Sequence, residues 1–367
     1  MSEAGLYIHI PFCARKCPYC HFYSITNLEL MGPFIEGLVR EMEMYRGAFP
    51  PFSTIYVGGG SPSLLPLPFI ETMLNGVFRF FSLTRNPEVT VEVNPADGDR
   101  TWFKALAQLG VNRLIIGVQS FDDGDLAFLG RRHRAEDAVV AVKNAQEAGF
   151  VNIGIDLIYG LPQQSIEVWE DNLKQVINLA IPHVSCYELT LEEGTPLDER
   201  AKRGELNLPD EEMKWQFFQA TDGFLSEHGF IHYEVSNFAR DDAFYSRHNL
   251  HYWQRVPYLG LGPSAHSFDG HHRWWNTSSL TRYLRKTEKG VKPIEGKEEI
   301  TREDAIFEEI FLGLRTRDGV NKELVRHSPL LESLLQEGYL IVDHNRLRPT
   351  PKGLALADRL AVIICPN

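Results

Sequence analysis

The chain has 367 residues, 43% hydrophobic and 23% charged, a globular balance with room for one large core and a smaller one. Thirty-seven basic residues against 49 acidic ones leave a formal charge of −12. That charge argues against nucleic acid as the main partner and against a polybasic membrane patch, since both need clustered Lys and Arg. No run approaches the length of a membrane span, and residues 1–7 lack the basic and apolar regions of a signal peptide, so a cytoplasmic, reducing location is expected.

Taken in order, short apolar runs at 6–10, 54–57, 89–93, 113–118, 152–158 and 183–189, most of them rich in Val and Ile, read as buried parallel strands. Helical patterns fill the intervals at 34–45, 68–81, 100–109, 135–148 and 166–179, the third and fourth followed by Gly110 and Gly149 as C-terminal punctuation. A repeating strand–helix order with right-handed crossovers predicts an α/β fold with a parallel sheet. Six units are too few for a closed eight-strand barrel. The expected architecture is a partial (β/α)6 barrel over residues 1–200, with function at the strand C-terminal ends. Residues 201–300 extend it through a long helix at 210–227 and an aromatic, His-rich stretch at 230–275. Residues 301–367 read as a small C-terminal winged-helix-like domain: helix, helix, a hairpin at 339–348, then helix.

Three of the five cysteines lie within eight residues, while Cys186 and Cys365 stand alone. An odd, clustered set favours metal binding over disulfides. Cys13-x3-Cys17-x2-Cys20 follows the first strand directly, and Pro11 and Pro18 keep the loop from becoming helix. A structural zinc site closes with four ligands. A cubane iron–sulfur cluster takes one thiolate per iron, so three thiolates leave one iron open to a small molecule. The rival reading is a Cys3His zinc knot with His9 or His21 as fourth ligand.

Other loops at strand ends carry polar groups. Tyr56-Val-Gly58-Gly59-Gly60-Ser61-Pro62 lets backbone approach a ligand closely, and the lack of a following Gly-Lys-Ser/Thr argues against a phosphate loop. Glu92 ends the third run and offers a carboxylate to a ribose, or merely caps a helix. Gln119 ends the fourth and Asp156 lies in the fifth, while Arg131 is placed to face a carboxylate.

Cys-x3-Cys-x2-Cys after a first strand resembles the signature of the radical S-adenosylmethionine superfamily. The resemblance implies a [4Fe–4S] cluster whose open iron is chelated by the amino and carboxylate groups of S-adenosylmethionine. Electron transfer from the cluster then yields a 5′-deoxyadenosyl radical. Over roughly residues 5–200 the chain is similar to oxygen-independent coproporphyrinogen III oxidase and its relatives. Carried over from that group, Tyr7, Tyr19, Gly59, Gly60, Ser61, Glu92, Gln119, Arg131, Asp156 and Thr190 fall where the cofactor is contacted. Two departures separate the chain from the oxidase. Phe22 stands where the oxidase has a further Cys, and Tyr7 comes almost at once where the oxidase carries a long N-terminal extension.

His248-Asn249-Leu-His-Tyr252-Trp253, taken with Cys-x3-Cys-x2-Cys-x-Phe, resembles the HemW-type haem chaperones. Membership implies haem as cargo and client haemoproteins such as respiratory enzymes, membrane association through those clients, and no porphyrinogen oxidase activity. His248, Asn249, Tyr252 and Trp253 are the candidate haem contacts, because an imidazole ligates haem iron and large rings pack on a porphyrin. The alternative for these residues is an inert aromatic core. The alternative functions are the oxidase itself or another radical enzyme acting on tetrapyrroles. The oligomeric state stays open, a homodimer included.

Overall fold

The structure, a computed structural model, describes residues 3–365. Its barrel is built from β1 (Ala4–Ile10), β2 (Phe52–Gly59), β3 (Leu83–Val93), β4 (Arg113–Gln119), β5 (Ile153–Tyr159) and β6 (His183–Glu188). All six run parallel in sequential order. The crossovers contain α1 (Met31–Met44), α2 (Leu67–Phe80), α3 (Arg100–Gln108), the short α4 (Asp123–Phe128), α5 (Ala135–Glu147) and α6 (Ile166–Asn178). After β6 come α7 (Pro196–Lys202) and α8 (Glu211–Glu227). The expected strands and main helices are all present; α4 is an addition, a single turn and a half too short to show a period.

Residues 230–275 are not an appendage. They form β7 (Ile231–Glu234), β8 (Asn237–Ala239), α9 (Arg247–Trp253), β9 (Tyr258–Leu261), β10 (His266–Phe268) and β11 (His272–Asn276), followed by α10 (Leu280–Glu288) and β12 (Ile294–Glu299). β8 and β7 extend the sheet beyond β6, and β9 pairs parallel with β1 on the other edge. The result is a seventh parallel strand, followed outward by antiparallel β10, β11 and β12. β9 escapes a sequence reading because Tyr-Leu-Gly-Leu is short and glycine-containing.

Strand side chains alternate between the two faces of the sheet. Leu6, Ile8 and Ile10 of β1 are fully buried toward the helices, together with Ile55, Val57, Val91, Leu114, Ile116 and Ile155. The other set of β1, including Tyr7, faces the lumen: Tyr7 stands 6.2 Å from the Tyr56 ring and 6.4 Å from that of His248.

The new edge is fastened by one carboxylate. Glu41 of α1 is fully buried and accepts hydrogen bonds from Gly262 N (2.9 Å), Asn276 Nδ2 (2.6 Å) and Tyr283 Oη (2.7 Å). It thereby ties α1 to the turn after β9, to β11 and to α10.

The C-terminal unit contains α11 (Arg302–Gly313), β13 (Val320–Asn321), α12 (Pro329–Gln336), the β14 (Leu340–Asp343)–β15 (Arg346–Pro349) hairpin, α13 (Pro351–Leu354) and α14 (Ala357–Ile364). Ile310, Leu314, Leu340, Leu347 and Leu360 belong to its own core. That order of helices and hairpin agrees with the winged-helix-like expectation. Arg315 joins the unit to the barrel through buried Glu234 (3.0 Å), and Arg255 does so through Glu308 (2.9 Å). Among the described residues, no helix is long and apolar enough to cross a membrane.

Burial pushes the Glu41 carboxyl up to about 7, against the pull of its three donors. A carboxyl whose folded-state pKa is raised favours the folded chain when protonated. Its contribution is therefore present below the unfolded value and declines as pH rises toward 7. Melting curves are expected to show stability falling between about pH 5 and about 7.5, with Glu41→Gln removing on the order of 3 kcal/mol of that fall. A variant with the wild-type slope would show that Glu41 is not the titrating group.

Candidate functional site at the strand C-terminal ends

The cysteine loop leaves β1 and is closed at its base. Phe12 forms a parallel bridge with Ile25; Cys13 N donates to Ile25 O (2.9 Å) and Ile25 N to Pro11 O (2.7 Å). Within it, Cys20 N turns back on Cys17 O (3.2 Å), and Arg15 reaches the Gly130 and Arg131 carbonyls. Cys13, Cys17 and Cys20 are all half-buried free thiols. Ser61 Oγ lies 3.9 Å from Cys13 Sγ, and Arg131 Nη1 lies 3.8 Å from Cys17 Sγ. Among the described residues, no three His, Cys, Asp or Glu side chains gather around a single ion. His9, a candidate fourth zinc ligand, has both ring nitrogens engaged, Nδ1 with the Tyr7 hydroxyl (3.0 Å) and Nε2 with Tyr23 O (2.8 Å).

The glycine turn after β2 packs directly on this loop. Gly60 N donates to Ile10 O and Ser61 N to Phe12 O, both at 2.7 Å. Gly59 has φ +104, and a Cβ there would stand 2.5 Å from His9 Nδ1; one on Gly60 would stand 2.5 Å from Phe12 O. Only glycine lets the two loops meet so closely.

Inward positions of neighbouring strands supply the rest. Glu92 of β3 accepts from Tyr56 Oη (2.7 Å) and Gly59 N (3.2 Å). Burial pushes its carboxyl up to about 7, with Asp156 adding to the rise. Asp156 of β5 is pushed up to about 6 by burial, opposed by the Ser185 hydroxyl and by Arg131 and Arg113. Arg131 Nη2 donates to Gly117 O (2.6 Å), the guanidinium also bonds Tyr19, and its buried Nε has no partner. Gln119 ends β4 at φ +70, with its Nε2 beside Gly117.

The structure thus brings together Tyr7, Tyr19, Gly59, Gly60, Ser61, Glu92, Gln119, Arg131 and Asp156 around the cysteine loop. Thr190 is different: it lies beyond β6, exposed, with its hydroxyl on Glu188 O (3.4 Å). Sequence reasoning missed Tyr56 and Ser185 as members of the site and His9 as a spacer between loops. The two-residue alternation that puts Tyr56 and Ser185 on the same face as Glu92 and Asp156 was the available signal.

The candidate haem residues lie elsewhere. Ser246 caps α9, and buried Glu88 accepts from His248 N (3.1 Å), an arrangement that favours a helix N-terminus there. His248 is buried beneath the strands: Nδ1 bonds Thr54 Oγ1 (2.8 Å) and Nε2 bonds Tyr252 Oη (2.9 Å). Burial holds its pKa down to about 3. Both ring nitrogens are engaged, so this geometry leaves His248 none with which to ligate iron. Asn249 and Tyr252 are half-buried beside it, while Trp253 turns toward the C-terminal unit.

Comparison with known proteins matches the Radical SAM superfamily model over residues 7–176 and the HemN C-terminal domain model over 300–356. Heme chaperone HemW of Lactococcus lactis is 34% identical, covering 96% of this chain and 95% of its own length. HemW of Bacillus subtilis is 35% identical over 86% of this chain and 84% of its own length. The chain belongs to the HemW family. Its fold is that of the solved coproporphyrinogen III oxidase (HemN) from Escherichia coli, with a TM-score of 0.83 at 25% identity, covering 98% of this chain and 90% of that one.

Membership in the radical SAM superfamily implies a [4Fe–4S] cluster and S-adenosylmethionine, and the cysteine loop and the strand ends have residues that fit both. Three separate thiols suit a cubane that takes one per iron, and the unpartnered Arg131 Nε suits a carboxylate. Phe22, next to the loop, is 65% exposed. Replacing any one of Cys13, Cys17 or Cys20 by Ser is expected to abolish uptake of iron and acid-labile sulfide on anaerobic reconstitution. The circular dichroism should stay unchanged, because the Phe12–Ile25 bridge holds the loop base. Wild-type iron content in such a variant would remove that cysteine from the ligand set.

Proposed function

We propose that this chain is a radical S-adenosylmethionine haem chaperone that holds a [4Fe–4S] cluster on Cys13, Cys17 and Cys20, binds S-adenosylmethionine across the strand ends, and passes haem to client haemoproteins. The observation that carries this reading is the 34% identity, over nearly the whole of both chains, to proteins named heme chaperone HemW. Respiratory enzymes are the proposed clients, reached in the cytoplasm or at a membrane surface.

The cluster, when bound, supplies a single electron to the cofactor's sulfonium. The chain's own residues bind and orient that cofactor. Arg131 meets the methionine carboxylate with its unpartnered Nε. Gly59 and Gly60, which need no room for a Cβ, let backbone approach the amino group. Glu92 accepts from the ribose hydroxyls, a task that its ionised form performs and its neutral form resists. Because burial holds Glu92 near 7, affinity for S-adenosylmethionine is expected to strengthen as pH rises through about 7. Glu92→Gln should bind roughly tenfold more weakly, with a flatter pH profile. Calorimetric titration checks both; an unchanged affinity would free Glu92 from the ribose.

A second reading, decarboxylation of coproporphyrinogen, is favoured by the fold shared with coproporphyrinogen III oxidase and opposed by Phe22 in place of a further Cys. Anaerobic incubation of reconstituted protein with haem, coproporphyrinogen, S-adenosylmethionine and a reductant separates the two. The chaperone reading expects near-stoichiometric haem binding with a stable Soret band, haem transfer to an apo-haemoprotein, and unchanged coproporphyrinogen. Release of CO2 from the propionates would favour the oxidase, and conversion of haem to a linear product a haem-cleaving enzyme.

A further inference from the structure

On the side of the barrel away from the cysteine loop, α9 and the C-terminal unit enclose a cleft of about 440 Å3. One wall is aromatic. The Tyr233 and Tyr245 rings stack at 4.0 Å and 12°, and Trp253 meets Tyr233 edge-on at 6.1 Å. The polar groups include three guanidiniums. Arg255, Arg317 and Arg346 line the cleft with Glu309 and Asp318, and Glu308 pairs with Arg255 at 2.9 Å, so acidic and basic groups balance around it.

These guanidiniums are not equally committed. Arg346 is spent on the Asp318 and Gly319 carbonyls and so shapes the loop that forms one lip. Arg317 bonds the Tyr245 hydroxyl and so orients the stacked pair. Arg255, one residue past the Gln254 C-cap of α9, has φ +53, a conformation that a long side chain adopts only where its surroundings hold it. Its Nε is fixed on Glu308 (2.9 Å), its guanidinium lies 5.3 Å over the Phe268 ring, and its buried Nη2 has no partner. A rigid cation with one hydrogen bond unmade, beside flat apolar rings, recognises a planar aromatic that carries a carboxylate.

We infer that the cleft between α9 and the C-terminal unit is the cargo site. Haem would enter with its macrocycle against Trp253 and the Tyr233–Tyr245 pair, and a propionate on Arg255. The inference rests on the haem-chaperone reading and adds a location and a recognition chemistry to it. It does not use His248, whose two ring nitrogens are engaged inside the barrel. The location has a functional consequence. Cargo there is separated from the radical site by the thickness of the barrel, and both structural units share it, so a client drawing on the C-terminal unit would loosen one wall.

The test uses the cluster-reconstituted full chain, with haem, protoporphyrin IX and its dimethyl ester as probes. Arg255→Gln removes the propionate contact. Gln254→Trp fills the cleft from an exposed position at the end of α9. Both should raise the haem dissociation constant roughly tenfold or more, with iron content and S-adenosylmethionine affinity unchanged. The wild type should prefer protoporphyrin to its diester, and Arg255→Gln should not. Wild-type haem affinity in both variants would overturn the cleft as the site and leave the chaperone reading standing. Equal affinity of the wild type for acid and diester overturns the carboxylate recognition even where a variant fails to fold. Absence of haem binding in the wild type would overturn the function and the inference together.

Discussion

Three thiols separated by three and two residues can serve one cluster only if the chain that carries them is anchored at both ends. The anchor is the parallel bridge between Phe12 and Ile25, placed immediately after β1, with Phe12 itself fully buried in the main core. The Gly59–Ser61 turn donates two further backbone hydrogen bonds to Ile10 and Phe12, so the cysteine loop and the cofactor loop are one hydrogen-bonded unit. That contact explains the glycines in physical terms. A side chain at Gly59 or Gly60 would meet His9 or the Phe12 carbonyl at 2.5 Å and drive the two loops apart. It also gives His9 a structural task, as the spacer that fills the gap between Tyr7, Gly59 and Tyr23.

Behind the loops, the lumen stores electrostatic tension. Glu92 and Asp156 are buried carboxyls, each raised above the ordinary carboxylate range and each raised further or restrained by neighbours. Burial of such groups costs stability unless they find partners. Tyr56, Gly59 and Ser185 supply partial satisfaction, which leaves the pair poised to gain more from an incoming ligand. Glu41 shows the opposite use of the same chemistry: three donors from three different segments satisfy it completely, and it serves as a fastener rather than a binding group.

The lumen is closed from the other side by α9. His248 inserts between Thr54 and Tyr252 and stacks on Tyr56 at 5.1 Å, while Glu88 holds the helix N-terminus. His248 is thus part of the barrel floor, and Trp253 faces the neighbouring unit. One helix of seven residues divides a compact motif between two environments. The molecule has two distinct ends: strand C-termini that carry the cysteine loop and the candidate cofactor residues, and an opposite end where the small C-terminal unit meets the barrel.

Much of this was legible in the amino-acid order. Parallel strands announce themselves as Val- and Ile-rich runs because both faces are covered, and three cysteines within eight residues announce a metal site, which the family resemblance narrowed to a cluster. Gly59, Gly60, Ser61, Glu92, Gln119 and Asp156 could be placed at or near strand ends, because position along a strand is a local property; Tyr7, inside β1, was named only by the family resemblance, and Arg131 lies in the loop after α4. What tertiary structure decided was everything that depends on which segments meet. The β9 strand became the seventh parallel member only by lying beside β1, 250 residues away in sequence. Thr190 lies exposed beyond β6, a placement that local pattern does not give. The roles of His248 and Trp253 separated because a helix presents residues five apart to different neighbours, and hydrogen-bond partners such as Thr54 and Glu88 arrive from distant strands. Local pattern carries secondary structure and ligand type; burial and partners are set by long-range packing, which no short stretch of sequence encodes.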